Sequence, residues 1–358
     1  MLKLIDRYIL KKFLSAYFFV VIILVAVILV IDFTEKNDDF IKHNLSAWQI
    51  LNYYKVVAPF FANLITPITV FIATVFVTSK MAGHTEIIAI LSSGVSFIRL
   101  MRPYLVGSII IAALSFYLNG WVIPDSNKER VAFEIQYTKK PFNYSERNIH
   151  IQEGNETFLY MQSYNNRVNR GNRFTMEKVD GTQLVEKLTA DYVQWQPEKG
   201  KWLIKNWRLR EFDSLGETLS EGAELDTLLR IHPKDFENNY RRWEALTIDE
   251  LNEYIGELSS RGSMEVPIYQ IEKYVRYMAP FTVIILTFIG LIVSARKTRG
   301  GTGFQIALGF LIAFIYIIVF ILTRSIAETS SLNPIFVVWL PNIIFSLVGF
   351  ILYKTVPR

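Results

Sequence analysis

"FLSAYFFVVIILVAVILVI", residues 13–31, decides what kind of molecule this chain is. The run carries no charge and is long enough to cross a hydrocarbon core about 30 Å thick. Lys3, Arg7, Lys11 and Lys12 precede it, as basic residues precede a secretory leader. Its apolar run exceeds the usual leader core, however, and "DFTEKNDDF" (32–40) follows where a small-residue cleavage site would stand. The segment therefore reads as a retained membrane helix. Five further stretches meet the same length criterion, near 57–79, 104–123, 277–295, 304–324 and 335–353.

The composition agrees with this reading. Half of the 358 residues are hydrophobic (51%), and they are concentrated in blocks at the two ends rather than spread as soluble cores spread them. Cysteine is absent, which excludes disulfides, thiolate metal sites and cysteine nucleophiles. The net charge of +5 contains no long like-charge run and no basic-aromatic stripe, so nucleic acid is not an expected partner.

Orientation follows from the loops. One set of segments carries Lys3, Arg7, Lys11, Lys12, Lys80, Arg99, Arg102, Arg296, Lys297, Arg299, Lys354 and Arg358, against only Asp6 and Glu86. The opposite short loops hold Asp32, Glu35, Asp38, Asp39 and Glu328. The positive-inside rule predicts cytoplasmic termini, three spans, a large outside domain and three more spans. The expected fold is an α-helical polytopic membrane protein with an inserted all-β domain. Residues 1–126 hold spans one to three, 127–268 the insertion and its return helix, and 269–358 spans four to six.

Within the insertion, "NIHIQEGNETFLYMQSY" (148–164) alternates, and "DYVQWQPEKGKWLIKNWRLREF" (191–212) is a hairpin. Its pattern places Val193 and Trp195 on one face with Trp202 and Ile204 across the turn "PEKG". Further strands are expected at "RFTMEKV" (173–179) and, after Asp180-Gly181, at "TQLVEKLTA" (182–190). Many short strands with regular turns suggest a sandwich or a jelly roll, most of whose aromatic residues fill a core. A return helix is expected from Thr247 and Glu250, at capping-box spacing, to Gly262. Leu251, Tyr254, Ile255 and Leu258 line one face of it.

Catalytic signatures are missing. The Gly-rich "KTRGGTG" (297–303) lacks the ordered Gly-Lys-Ser/Thr that cradles phosphates and is expected to form a basic turn. His43, His84, His150 and His232 have no metal-ligand spacing. Spans one, three and six contain no ionisable pair such as an intramembrane protease needs. The chain is therefore expected not to be an enzyme by itself, and to hold no cofactor or metal of its own.

"GHTEIIAILSSGVSFIRLMRP" (83–103) stands between two apolar blocks, on the side expected to be cytoplasmic. Thr85 is a candidate N-cap, Glu86 suits the positive helix end and Gly94 can close the helix. Ile87, Ile88 and Leu91 are expected to form its apolar face. Two readings stand side by side: a helix lying in the headgroups, and a coupling helix inserted into a groove of a cytoplasmic partner.

Three stretches resemble one known family. "LIDRYILKKFL" (4–14) is similar to the N-terminal signature of the lipopolysaccharide-export permeases of the LptF/LptG (YjgP/YjgQ) family, and leans toward the LptG type. "GHTEIIAILSSGVSFIRLMRP" looks like that family's acid-alanine-glycine coupling segment. "LTIDELNEYI" (246–255) followed by "YQIEKYVRYMAPF" (269–281) resembles the entry to its fourth span, with Glu272, Arg276, Pro280 and Phe281 in order. The layout of three spans, domain, three spans is similar too, so the resemblance covers essentially the whole chain.

The resemblance implies a permease half of an ABC exporter in the inner membrane. It implies a paralogous permease as partner, a dimeric cytoplasmic ATPase that binds the ATP, and periplasmic β-jelly-roll bridge proteins that receive lipopolysaccharide. Glu86, Ile87, Ile88, Leu91 and Gly94 then become the ATPase-coupling residues. One departure matters: where the LptG type commonly has a basic residue late in its first span, this chain reads "VIDFTEKNDDF" (30–40), with Asp32 and Glu35 beside Lys36. The candidates for contact with lipid headgroups are accordingly Lys36, Lys42, Lys55, Lys273, Arg276 and Arg324. The competing expectation is a membrane-anchored sensor or assembly scaffold that transports nothing.

Overall fold

The computed structural model describes residues 3–138, 144, 147–154, 156–213, 216–236, 241–260, 263, 265–295, 301–329 and 332–354. The basic turn at Arg296, Lys297 and Arg299, the helix stop at Gly262, and Arg358 lie outside the described residues. The chain divides into two units: Met1–Thr138, Trp243–Asn252 and Pro267–Arg358 form one, Lys139–Arg242 and Glu253–Val266 the other.

In the first unit, six helical segments among the described residues are long and apolar enough to cross a membrane. The first helix, α1, runs through 39 residues from Leu4 to Lys42, so "DFTEKNDDF" is helical rather than a loop. At its start the Asp6 carboxylate accepts the Lys3 N–H at 2.8 Å, satisfying a donor that helix geometry leaves without a partner. The stretch expected as one span near 57–79 is two helices, α2 (Ala47–Leu64) and α3 (Thr66–Gly83), which part at Ile65. Pro67 has no N–H to continue the ladder and stands in the first turn of α3, where that donor has no intrahelical partner to lose.

After the short α4 (Glu86–Ser92), the third span is α5 (Phe97–Tyr117). A π-helical turn, Leu118–Val122, joins it to α6 (Ile123–Phe133), and a second, Glu134–Thr138, follows. Residues 127–138, expected at the head of the β insertion, are thus helical. The other spans are α8 (Val266–Ser294), α9 (Gly301–Thr329) and α10 (Pro334–Lys354).

The core of this unit forms around α3. Val70, Ala73, Val77 and Met81 of α3 pack with Ile9 and Phe13 of α1, Leu100 and Tyr104 of α5, and Val283 and Leu291 of α8. Phe71 and Val75 turn the other way, toward Leu286 and Ile289 of α8, Ala313 and Tyr316 of α9 and Phe345 of α10. Lipid tails are as apolar as leucine, so helices associate through close van der Waals contact and interhelical hydrogen bonds. Both are present. Phe13 lies directly over Gly107, and the Thr282 hydroxyl meets Tyr316 at 2.8 Å and the Asn342 side-chain oxygen at 2.9 Å, joining α8, α9 and α10.

The second unit is a six-stranded antiparallel sheet in the order β1-β2-β3-β4-β5-β6. The strands are β1 (Arg147–Gln152), β2 (Thr157–Asn165), β3 (Arg170–Asp180), β4 (Gln183–Gln196), β5 (Lys201–Asp213) and β6 (Gly216–Thr227). The inserted domain is β, as expected. Its described strands form a meander, with every strand beside its sequence neighbour, where a strict jelly roll crosses over between Greek keys. The hairpin register pairs Val193 with Ile204 and Trp195 with Trp202. The stretches read as two strands, 182–190 and 191–196, form one continuous β4. Leu159, Met161, Phe174, Leu188, Val193, Trp202 and Ile204 make one apolar face, closed by Leu229, Ile231 and Phe236. The Trp202 indole N–H donates to the Ile231 carbonyl at 2.8 Å.

The return helix, α7 (Ile248–Ser260), starts with the expected capping box. Thr247 N–H donates to the Glu250 carboxylate at 2.8 Å, and Glu250 N–H donates to the Thr247 hydroxyl at 3.3 Å. The bond from the Thr247 amide holds the Glu250 carboxyl below the ordinary glutamate range.

A Cβ on Gly107 would lie 2.6 Å from Phe13 Cδ1, so Gly107→Ala must push α1 and α5 apart. The expected cost is about 1–3 kcal/mol, read as a lower melting temperature in detergent. An unchanged melting temperature would show that the α1–α5 seam is not tightly packed.

Candidate coupling helix and buried charge clusters

α4 is a seven-residue helix between α3 and α5. It begins after Thr85, whose backbone is left-handed (φ 61°) and whose side chain does not cap the helix. The Thr85 hydroxyl donates instead to the His84 carbonyl at 2.7 Å, which corrects the expected N-cap. The Ser92 and Ser93 hydroxyls turn back onto the Ile88 and Ile90 carbonyls, and Gly94 ends the helix at φ +86°. That positive φ is where glycine is least strained.

Ile87, Ile88 and Leu91 do not share one outward face. Successive helical residues are about 100° apart, so Ile88 is turned well away from Ile87, and Leu91 lies between the two. Ile87 is buried in the core beside Met81 and Leu100, and Leu91 packs against the same core. Ile88 is 51% exposed. The outward face is therefore Ile88 with Ser92, while Ile87 anchors the helix.

Glu86 is bound within the chain. It accepts the Tyr8 hydroxyl at 3.1 Å and lies 3.3 Å from Lys12 Nζ through both oxygens. Lys12 also sits over the Tyr8 ring, 4.1 Å from its centroid. Two residues before Tyr8 on α1, the buried Asp6 pairs with Arg99 of α5 at 2.6 Å. Arg7, Lys11, Lys80 and Arg102 stay exposed around this end of the helices.

The headgroup candidates have separate fates. Lys36 of α1 is held by Asp32 at 2.9 Å, by Glu134 at 3.3 Å and by the Tyr53 hydroxyl, while Tyr54 donates to Asp32 at 3.0 Å. Arg276 of α8 is buried. Its Nε meets Glu272 at 3.1 Å, and its terminal nitrogens donate to the carbonyls of Leu246 at 2.5 Å and Trp243 at 2.8 Å. Those contacts take up the Arg276 side chain inside the protein.

Arg324 of α9 reaches Glu328 at 3.2 Å, the i, i+4 partner, and Glu272 at 3.5 Å on α8, with about a third of its side chain exposed (32%). Lys42 and Lys55 are exposed and Lys273 half-buried, none with an ion pair among the described residues.

Arg130 was not among the expected site residues. It is buried on α6, 4.0 Å from the Phe60 ring centroid, and paired with Glu244. The pattern of apolar residues breaks at 123, which placed Arg130 in the β insertion. Pro124 carries the signal that corrects this, because proline is at home in a first helical turn.

Charges inside a membrane are costly unless they pair or meet an aqueous path. The buried ones pair, Asp6 with Arg99, Arg130 with Glu244 and Arg276 with Glu272, and the Lys36 cluster draws its side chains from α1, α2 and the π-helical turn at Glu134. The fold and these clusters define a polytopic helical membrane protein with a β insertion. The chain belongs to the family of lipopolysaccharide export system permeases LptF/LptG, whose sequence model matches residues 7–355. It is thus a multi-pass inner-membrane export permease, a transport subunit without catalytic function of its own, and the scaffold alternative is not favoured. One model describes both permease types, so the match does not separate LptF from LptG. No individually curated protein matches the chain.

Replacing Arg276 separates structure from transport. Arg276→Met leaves Glu272 short of a partner and strips two carbonyls of their donor, so it should destabilise by about 3–5 kcal/mol. Arg324→Gln, at a partly exposed pair, should cost about 1 kcal/mol or less. Thermal unfolding of the two variants in detergent checks the ranking, and equal small shifts would refute it.

Proposed function

We propose that this chain is one of two paralogous permeases which, with a dimeric cytoplasmic ABC ATPase, extract lipopolysaccharide from the outer leaflet of the inner membrane. The lipid then passes to a periplasmic β-jelly-roll bridge toward the outer membrane. ATP is bound and hydrolysed by the partner ATPase. Both termini lie in the cytoplasm and the six-stranded sheet in the periplasm. The loop charges support this orientation.

The observation that carries the reading is the outward face of α4. Ile88 is an exposed apolar residue on a helix held rigidly by Ile87, with a carboxylate at its first position and exposed basic residues around it. A few residues carry most of the energy of a docking interface, and an exposed apolar side chain on a packed helix offers one such contact. Lipid headgroup contact falls to Arg324, Lys273, Lys42 and Lys55. Arg324 is the strongest of these, because a guanidinium engages phosphate through two parallel hydrogen bonds. The exposed apolar residues of α1 and α9, such as Ile22 and Phe314, suit either lipid or the partner permease.

The test is copurification of the ATPase followed by lipid export in reconstituted vesicles. Ile88→Asp should insert normally yet lose most of the ATPase, a loss of about 2 kcal/mol or more for a central apolar contact. Arg324→Glu should keep the ATPase and slow extraction. Parent-level copurification by Ile88→Asp would remove α4 as the docking element, and parent-level export by Arg324→Glu would leave that arginine an anchor.

The same reading assigns β6 a partner. It is an edge strand with nearly all of its residues exposed, and an open edge accepts another strand through main-chain hydrogen bonds. Photocrosslinkers at alternate β6 positions should capture the bridge protein, whereas the same probes within β3 should not. Capture from β3 alone would place the bridge elsewhere.

A further inference from the structure

α1 differs from every other spanning helix in its sequence. Residues 4–42 contain neither glycine nor proline, whereas the others contain Pro67, Pro103, Pro280, Gly309 or Pro341. Proline and glycine are where long helices kink. At 1.5 Å per residue its 39 residues make an unbroken rod about 58 Å long.

The rod is packed along its first half, from Ile9 to Tyr17, and is fastened again at its far end. At one end Tyr8 and Lys12 hold Glu86 of α4, Asp6 holds Arg99 of α5, and Ile9 and Phe13 share an apolar cluster with Ile87. At the other end Lys36 and Asp32 of α1 hold Glu134 and Tyr54. Between them α1 is the least buried of the six spans, with 17% of its central window inside the protein.

A displacement of α4 must therefore either carry α1 with it or break the pair between Glu86 and Lys12. The apolar seam supplies grip, and the ion pair supplies register, because a charge-assisted bond has a preferred geometry. A carboxylate offers about four acceptor positions, so Glu86 can keep Lys12 and Tyr8 while also meeting a partner.

We propose that Lys12 and Tyr8 are positioning residues that transmit movement of α4 into α1, which delivers it to the Lys36–Glu134 cluster at its far end. The inference rests on the reading of α4 as the ATPase-docking helix and adds the element to which the stroke is passed. Lys12 and Tyr8 touch neither lipid nor nucleotide in this scheme; they act through Glu86.

The experiment uses the full complex with its ATPase in vesicles and purified lipopolysaccharide as probe, and reads two quantities. These are ATPase copurification and lipid moved per ATP hydrolysed. Lys12→Gln should keep the ATPase bound and lower the ratio of transport to hydrolysis about fivefold or more, the usual lower bound for coupling between sites. Lys12→Arg, which preserves the charge, should recover most of that ratio. Tyr8→Phe deletes one hydroxyl at an exposed position without burden on folding and should lower the ratio less.

An unchanged ratio in Lys12→Gln overturns the proposal, as does equal loss in Lys12→Gln and Lys12→Arg. Loss of copurification in Lys12→Gln also overturns it, by making Lys12 a docking residue. Failure of the underlying reading looks different: Ile88→Asp would then retain the ATPase whatever Lys12 does.

Discussion

Glu272 stands between two arginines within the membrane unit, and the far end of the α8–α9 pair depends on that carboxylate. The hydrocarbon region supplies no water to solvate a charge, so each ionised group must find its counterpart in the protein. Arg276 satisfies one Glu272 oxygen and spends its remaining donors on the carbonyls of Trp243 and Leu246. Arg324 takes the other oxygen while staying partly exposed. One carboxylate thereby makes a structural arginine and a surface arginine out of two residues of the same type. Their roles differ because their neighbours differ.

The same demand shapes the other clusters. Asp6 and Glu86 neutralise Arg99 and Lys12 where α1, α4 and α5 meet, and Asp32 and Glu134 neutralise Lys36 at the far end of α1. Between these points the helices associate by fit. Thr74, Thr78 and Ser79 of α3 bury small polar side chains; the Thr78 hydroxyl donates to Tyr104 at 3.0 Å. A large residue at such positions would hold the backbones apart, since close approach rather than apolar burial drives helix association in lipid.

Much of the architecture was legible in the chain itself. The β4–β5 hairpin follows from alternation and a turn, and its register agrees residue for residue with the pairing of Trp195 and Trp202. Other features were hidden. The break at Ile65 falls in a largely apolar run, where hydrophobicity offers little contrast, and of its two prolines Pro67 stands at the boundary while Pro59 lies within α2. α6 was hidden for the opposite reason. It is polar enough to resemble a loop, yet Asn127 and Arg130 are buried against Glu244.

What the sequence alone determined is everything that depends on local run length and period. That includes the number of spans, the existence of a β insertion, the short helix at Glu86, and the capping box at Thr247 and Glu250. These are properties of adjacent residues, and adjacency is what a sequence records. Only the tertiary structure decided which isoleucine of α4 faces inward and which arginine is locked away. It also decided that Glu86 belongs to Lys12, a residue 74 positions distant. Such choices depend on the rotation of each helix about its axis against its neighbours. That rotation is set by the packing of the whole unit at once, so no single segment contains it.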